Sequence, residues 1–178
     1  MGLFGSFSRS KRLQKNALQN SLVRTYQAVT SASVDDLWKK ITDLTDVSWH
    51  PILASTNVPN GLVVKPGLIY QAFTRTIPIP IQIFVERVCP QELFSVRILV
   101  LPGLEEVVTY KVESTVCGAC VSYSVTLRGW LSPFFWSLIR PYAARVAGRL
   151  VQAVEQAAIQ AMNGNLPSGT LRPNSWFL

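Results

Sequence analysis

The sequence predicts an α+β fold: a curved antiparallel sheet of six or seven strands wrapped around one long C-terminal helix, with two short helices after the first strand. Three observations predict it. Residues 93–101, 107–113 and 121–128 alternate apolar and polar side chains with period two, the pattern of strands covered on one face only. Turn sequences punctuate the region: PNG at 59–61, KPG at 65–67, CPQE at 89–92, LPGLE at 101–105 and CGA at 117–119. From Ser132 to Met162 the period changes to that of a helix. Strands that cluster and helices that segregate belong to the α+β class.

The elements follow in order. Residues 22–30, LVRTYQAVT, read as the first strand. Ser33 is an N-cap, and Asp35 and Asp36 lie in the first turn, where carboxylates favour the helix dipole. Val34, Leu37, Trp38 and Ile41 share one helical face, and DLTD followed by Pro51 ends the segment. In 76–88, TIPIPIQIFVERV, the residues Ile77, Ile79, Ile81, Ile83 and Val85 line one face, while the two prolines point to an edge strand or an irregular entry. The later strands turn inward Phe94, Val96, Ile98 and Val100, then Val108, Tyr110 and Val112, then Val121, Tyr123, Val125 and Leu127. Glu86 is expected to point outward, and Glu105 and Glu106 to be solvated in their turn. Ser132 as cap and Pro133 at the first helical position open the last helix, and Asn163–Gly164 closes it. Its polar stripe is Arg145, Arg149, Gln152 and Gln156; Ile139, Tyr142, Val146, Leu150, Ala153 and Ala157 lie opposite. Pro141 lies inside the run and is expected to kink it.

At 178 residues the chain suits one domain with tails: residues 1–20 as an arm, 21–163 as the folded body and 164–178 as a Pro/Gly/Ser-rich tail. Such a body buries a core without a disulfide or metal staple. Hydrophobic residues are 48% and charged residues 15% of the chain, which points to a large core, an apolar cavity or a membrane-facing surface. No apolar run approaches the roughly 20 residues that span a bilayer. Three cysteines, an odd and small number, favour a reducing compartment, and the expected location is cytoplasmic. The net charge is +7, of which residues 1–24 carry +5 with no acid. Basicity confined to an arm speaks against a nucleic-acid-binding face. Leu3, Phe4 and Phe7 ahead of Arg9, Lys11 and Arg12 instead suit contact with an anionic membrane, with a solvated tail as the alternative. Met-Gly-Leu-Phe-Gly-Ser also fits the pattern for acylation at Gly2.

Few residues offer chemistry. His50, the single histidine, stands in DVSWHP between Trp49 and Pro51. It reads as a structural residue that ends a helix, as a contact at the rim of a pocket, or as a base, with Asp46 four positions back as its one nearby orienting group. Cys117 and Cys120 fall on a hairpin turn, without the helix N-terminus that activates a redox pair. A zinc site needs about four ligands, and only Cys89 and His50 remain. No metal or cofactor is therefore expected. Tyr110 and Tyr123 on the inner sheet face, Tyr142 on the helix and Tyr70 could orient a mostly apolar ligand through their hydroxyls, or simply fill the core.

The ordered set of motifs resembles one superfamily. SASVDDLWKKITDLTDVSWHP, VKPGLIYQA, VERVCPQELFSVRI and YSVTLRGWLSPFFWSLIRPYAARVAGRLVQAVEQAA together resemble the helix-grip domains of the START, polyketide-cyclase and birch-pollen-allergen (SRPBCC) superfamily, over residues 22–162. That resemblance implies a hydrophobic cavity between sheet and C-terminal helix, holding a lipid, an isoprenoid or quinone, or a polyketide. It does not choose one chemistry.

Three functions stay open: a binding or carrier protein for a hydrophobic small molecule, acting at a membrane surface through its arm; a cyclase or dehydratase using His50 or a pocket tyrosine; and an interaction module without a cavity. The expected ligand-lining residues are Trp49, His50, Tyr70, Ile83, Val96, Tyr110, Tyr123, Phe135, Ile139, Tyr142 and Val146.

Overall fold

The computed structural model describes residues 21–75 and 80–164. The arm residues Leu3, Phe4, Phe7, Arg9, Lys11 and Arg12, the predicted strand positions Ile77 and Ile79, and the C-terminal tail lie outside the described residues. The element order is β1 (Ser21–Thr30), α1 (Val34–Thr42), β2 (Leu53–Thr56), β3 (Ile69–Thr74), β4 (Pro80–Cys89), β5 (Leu93–Leu101), β6 (Leu104–Thr115), β7 (Gly118–Arg128) and α2 (Ser132–Gly164). The strands form one antiparallel seven-stranded sheet in the order β1-β7-β6-β5-β4-β3-β2. The first strand thus closes against the last, so the meander curls and leaves a concave face for helices to cover. β4 is an interior strand with Pro80 as its first residue, where a missing ladder N–H is tolerated.

α1 forms as its cap predicts. Ser33 Oγ accepts the Asp36 N–H at 3.1 Å and donates to the Asp36 carboxylate at 2.6 Å. Leu37 and Ile41 are buried beneath it. The expected second short helix is absent from 43–52. The Asp43 carboxylate accepts the Thr45 N–H at 3.1 Å, and the Asp46 carboxylate accepts the Ser48 N–H at 3.1 Å. Aspartates that bond the backbone two residues on make turns in place of helix.

α2 is continuous through Pro141. Ser132 does not cap it: its buried hydroxyl donates to the Gly129 carbonyl at 2.7 Å, and the first helical bond runs from Phe135 N–H to the Leu131 carbonyl. The buried stripe is Ile139, Ala143, Val146, Ala147, Leu150, Val151 and Val154. Tyr142 and Ala153 are only half-buried and Ala157 is exposed, so the stripe is rotated from the predicted one. Ala143 and Ala147 let the helix lie close over β1 and β7, its main sheet neighbours. Complete burial of a residue such as Leu150 contributes about 1.5–3 kcal/mol.

Two glycines set the corners of the sheet. At Gly118 (φ +137°) a Cβ would stand 2.2 Å from the Thr30 carbonyl oxygen; at Gly129 (φ +129°) it would stand 2.0 Å from that of Gly103. Only glycine permits these backbone approaches. Next to the first corner, the Thr30 hydroxyl donates to Glu155 Oε1 at 2.9 Å, tying β1 to α2.

Candidate functional site

The inner face of β6 is Leu104, Glu106, Val108, Tyr110 and Val112. Register places their side chains in rungs across the sheet. Phe94, Tyr110, Tyr123 and Tyr26 stand opposite one another in one rung, Val96, Val108 and Val125 in the next, and Ile98, Glu106 and Leu127 in the third. The Tyr110 and Tyr123 ring centroids are 5.1 Å apart, and Phe94 stacks on Tyr110 at 6.2 Å. Trp49 meets Tyr110 edge-on at 6.2 Å and His50 at 5.4 Å.

The segment 43–53 covers this face. Thr56 Oγ1 donates to the Leu44 carbonyl at 2.6 Å, Arg75 to the Ser48 carbonyl at 3.2 Å, and the Arg75 N–H to the Ile52 carbonyl at 2.8 Å. Lys40 pairs with Asp46, whose carboxyl is lowered to about 2 by hydrogen bonds from Lys40 and then Ser48. Asp46 is therefore engaged with Lys40 and Ser48 and does not orient His50. The His50 ring is buried, and its Nδ1 accepts the backbone N–H groups of Ile52 at 3.3 Å and Leu53 at 3.2 Å. That leaves the proton of the neutral ring on Nε2. Burial, assisted by the nearby charge of Arg75, lowers its pKa to about 3. A ring so held is a structural acceptor and a poor base at neutral pH.

Between segment and sheet lies a cavity of about 90 Å³. Trp49, His50, Tyr70, Ile83, Val96, Tyr110 and Tyr123 line it together. Phe135, Ile139, Tyr142 and Val146 do not: α2 lies over β1 and β7, whereas the cavity lies mainly over β3 to β6, reaching β7 only at Tyr123, beneath Ile41, Leu44 and Val47. The cavity is small. It has room for several waters at roughly 10–15 Å³ each, against about 300–1,000 Å³ for common ligand pockets.

The residue that sequence reasoning missed is Glu106. Far from being solvated, it is 9% exposed and lines the cavity. Its rung neighbours Ile98 and Leu127 are apolar, and burial raises its carboxyl to about 7. Counting back by two from Val108 along β6 finds it; assigning 101–105 and its neighbour to a turn hid it. Burial raises the Tyr70, Tyr110 and Tyr123 hydroxyls above their ordinary value, so all three stay protonated donors at neutral pH. Among the described residues, no hydrogen bond satisfies the Glu106 carboxyl or these hydroxyls, and the Trp49 indole N–H is buried without a partner. Glu86 does lie on the outer face, paired with Arg97. Cys89 and Cys117 are exposed and Cys120 half-buried, and all three thiols are free. Among the described residues no cluster of histidine, cysteine and carboxylate could hold a metal ion.

No protein-family model matches the chain, and no curated protein sequence does. Solved structures match its shape. The protein Ara h 8.0201 superposes with a TM-score of 0.61 at 12% identity, over 76% of this chain and 99% of its own. The chain has the helix-grip fold. Norcoclaurine synthase from Thalictrum flavum shares this helix-grip architecture with a TM-score of 0.58 at 17% identity, over 79% of this chain and 87% of its own. A Chromobacterium violaceum protein does so with a TM-score of 0.55 at 14% identity, over 77% and 98%. At such identities what is shared is the helix grip itself, and site chemistry has to come from this chain's own residues.

Proposed function

We propose that the protein binds a largely apolar small molecule carrying at least one hydrogen-bonding group, in the cavity between segment 43–53 and the concave sheet. The observation that carries this reading is a set of polar groups on an apolar wall: the Glu106 carboxyl and three tyrosine hydroxyls, which make no hydrogen bond among the described residues, and the Trp49 indole N–H, which is buried without a partner. Buried polar groups ordinarily have partners, and a ligand that supplies them accounts for their placement. Ligands of the classes that the resemblance implies, a lipid, isoprenoid, quinone or polyketide, exceed a cavity of about 90 Å³, so binding them requires segment 43–53 to move or admits only one end of the molecule. The test is native mass spectrometry of the full chain, with organic extraction of what co-purifies. A bound mass that extraction removes supports the reading. No bound mass, together with no uptake of an apolar fluorophore, refutes it in favour of an interaction module.

A second reading, acid–base catalysis of the cyclase or dehydratase type, is favoured by one observation. Glu106 is a carboxyl held near pH 7 in a cavity, the tuning that general acids and bases need. It replaces His50 and the tyrosines as the candidate group. One structural neighbour, norcoclaurine synthase, is an enzyme. Turnover of an extracted ligand that survives Glu106→Gln refutes the reading.

The arm supports a membrane role. Leu3, Phe4 and Phe7 with Arg9, Lys11 and Arg12 combine apolar anchors and cations. No helix among the described residues is long and apolar enough to cross a membrane. Three free thiols accord with a cytoplasmic location. Co-sedimentation with phosphatidylserine-containing vesicles should fall when residues 1–20 are deleted; undiminished sedimentation removes the arm from the proposal.

A further inference from the structure

The start of α2 presents an apolar line to solvent. Trp130 is 75% exposed, Phe134 74% and Leu138 59%. Spaced by four residues, Phe134 and Leu138 lie on adjacent turns of one helix face. The face of α2 that they occupy is opposite the buried stripe. Trp130 sits just ahead, its indole over Gly103 in the β5–β6 turn. Single exposed apolar residues are ordinary, but two aromatics and a leucine exposed within nine residues mark a contact surface.

The same face continues as cations. Arg145 and Arg149 follow Leu138 at helical spacing and are exposed, and neither has a carboxylate partner among the described residues. From Phe134 to Arg149 the stripe is about 22 Å long at 1.5 Å per residue. No acidic residue occurs between Glu113 and Glu155. Register adds a second source of the same chemistry. Ser21 pairs with Arg128, two residues before Trp130, so β1 begins at this corner, preceded in the sequence by twenty residues. They carry four cations, no acid and their own apolar anchors.

We propose that the outer face of α2, from Trp130 to Arg149, docks on an anionic lipid bilayer, with the three apolar side chains in the interface and the arginines at the headgroups. Large apolar anchors beside cations free of acidic partners complement such a surface. The proposal rests on the membrane reading above but assigns contact to the folded body as well as to the arm.

The test is flotation of the full chain with vesicles of phosphatidylcholine plus phosphatidylserine, and of phosphatidylcholine alone. Arg145→Gln with Arg149→Gln should weaken binding to the anionic vesicles by at least tenfold, at about fivefold per arginine. Trp130→Ser, Phe134→Ser and Leu138→Ser together should weaken it by a similar factor, with thermal unfolding unchanged because all three side chains are exposed. A chain lacking residues 1–20 should keep measurable, salt-sensitive binding. Three results overturn the proposal. One is binding that the arm deletion abolishes and the α2 variants leave intact, which assigns the membrane contact to the arm alone. Another is absence of vesicle binding by the full chain. The third is a dimer in solution that the apolar variants dissociate, which gives the face to a second copy. None of these outcomes bears on occupancy of the cavity, which mass spectrometry reads separately.

Discussion

The Nδ1 atom of His50 accepts the backbone N–H of Leu53 at 3.2 Å, and that of Ile52 joins it at 3.3 Å. One ring thereby satisfies two donors where the chain passes from the turns after α1 into β2. His50→Asn places a carbonyl oxygen near the Nδ1 position, whereas His50→Leu leaves the donors unpaired at about 1–3 kcal/mol for a buried group. Urea unfolding should rank the variants wild type, Asn, Leu. Equal loss in Asn and Leu refutes the acceptor role.

Because folded His50 titrates at about 3 and an unfolded histidine near 6.5, the folded state resists protonation. The contribution is present above pH 6.5 and is lost as pH falls from there towards 3. Wild type should lose stability through that window, and His50→Asn should lose less. Parallel curves of stability against pH contradict the assignment.

Glu106 behaves in the opposite sense. Its folded pKa of about 7 lies above the ordinary 4.5, so the folded state holds the proton more tightly. Below pH 4.5 the group costs nothing by this route. As pH rises from 4.5 to 7 the unfolded state ionises first and stability falls. Glu106→Gln should therefore gain stability at neutral pH, on the order of 2–3 kcal/mol at about 1.4 kcal/mol per pKa unit, and gain none at pH 4. The difference in melting temperature between the two proteins, followed against pH, decides it.

Gly118 and Gly61 both have positive φ but differ in surroundings. A Cβ at Gly61 meets nothing within 4 Å, whereas one at Gly118 meets the Thr30 carbonyl at 2.2 Å. Gly61→Ala should cost about 1–2 kcal/mol from backbone conformation alone. Gly118→Ala should cost more, roughly 3–4 kcal/mol, because β1 and β7 must separate at that corner. Denaturant midpoints compare them directly, and equal costs would show that the corner yields.

Val108 lies on the middle rung and lines the cavity. Val108→Phe should occupy the space, with a stability change of about 1 kcal/mol or less if the void accepts the ring. A bound mass or fluorophore should be lost while the fold persists. Retention of both places the ligand elsewhere.

Much of the fold was legible because its periodicities are local. The apolar faces of β5, β6 and β7, the Ser33 cap and the helical run from Ser132 follow from neighbours in sequence. Tyr110, Tyr123, Trp49 and His50 were recognisable as cavity residues for the same reason: parity and position after α1 place them. Glu106 was hidden by a boundary, since a turn carried three residues into β6 removes a side chain from the inner face. Phe135, Ile139, Tyr142 and Val146 were given to the cavity because helical periodicity says which face is buried and not which strands lie beneath it.

Sequence alone determines that this chain makes a one-sided antiparallel meander closed by a long helix, and that its charge is concentrated before the first strand. Those properties depend on side-chain periods of two and 3.6 and on turn residues, all read within a short window. Tertiary structure decides where α2 sits, how little space it leaves, and what meets there. Pairing of β1 with β7 draws the helix to that end of the sheet, so the cavity forms under segment 43–53 and gathers His50, Glu106 and the tyrosines. The same pairing sets Ser21 beside Arg128, so β1 starts at the corner where Trp130 and Phe134 face solvent. Contacts between residues a hundred positions apart are set by register and packing volume, which no local pattern contains.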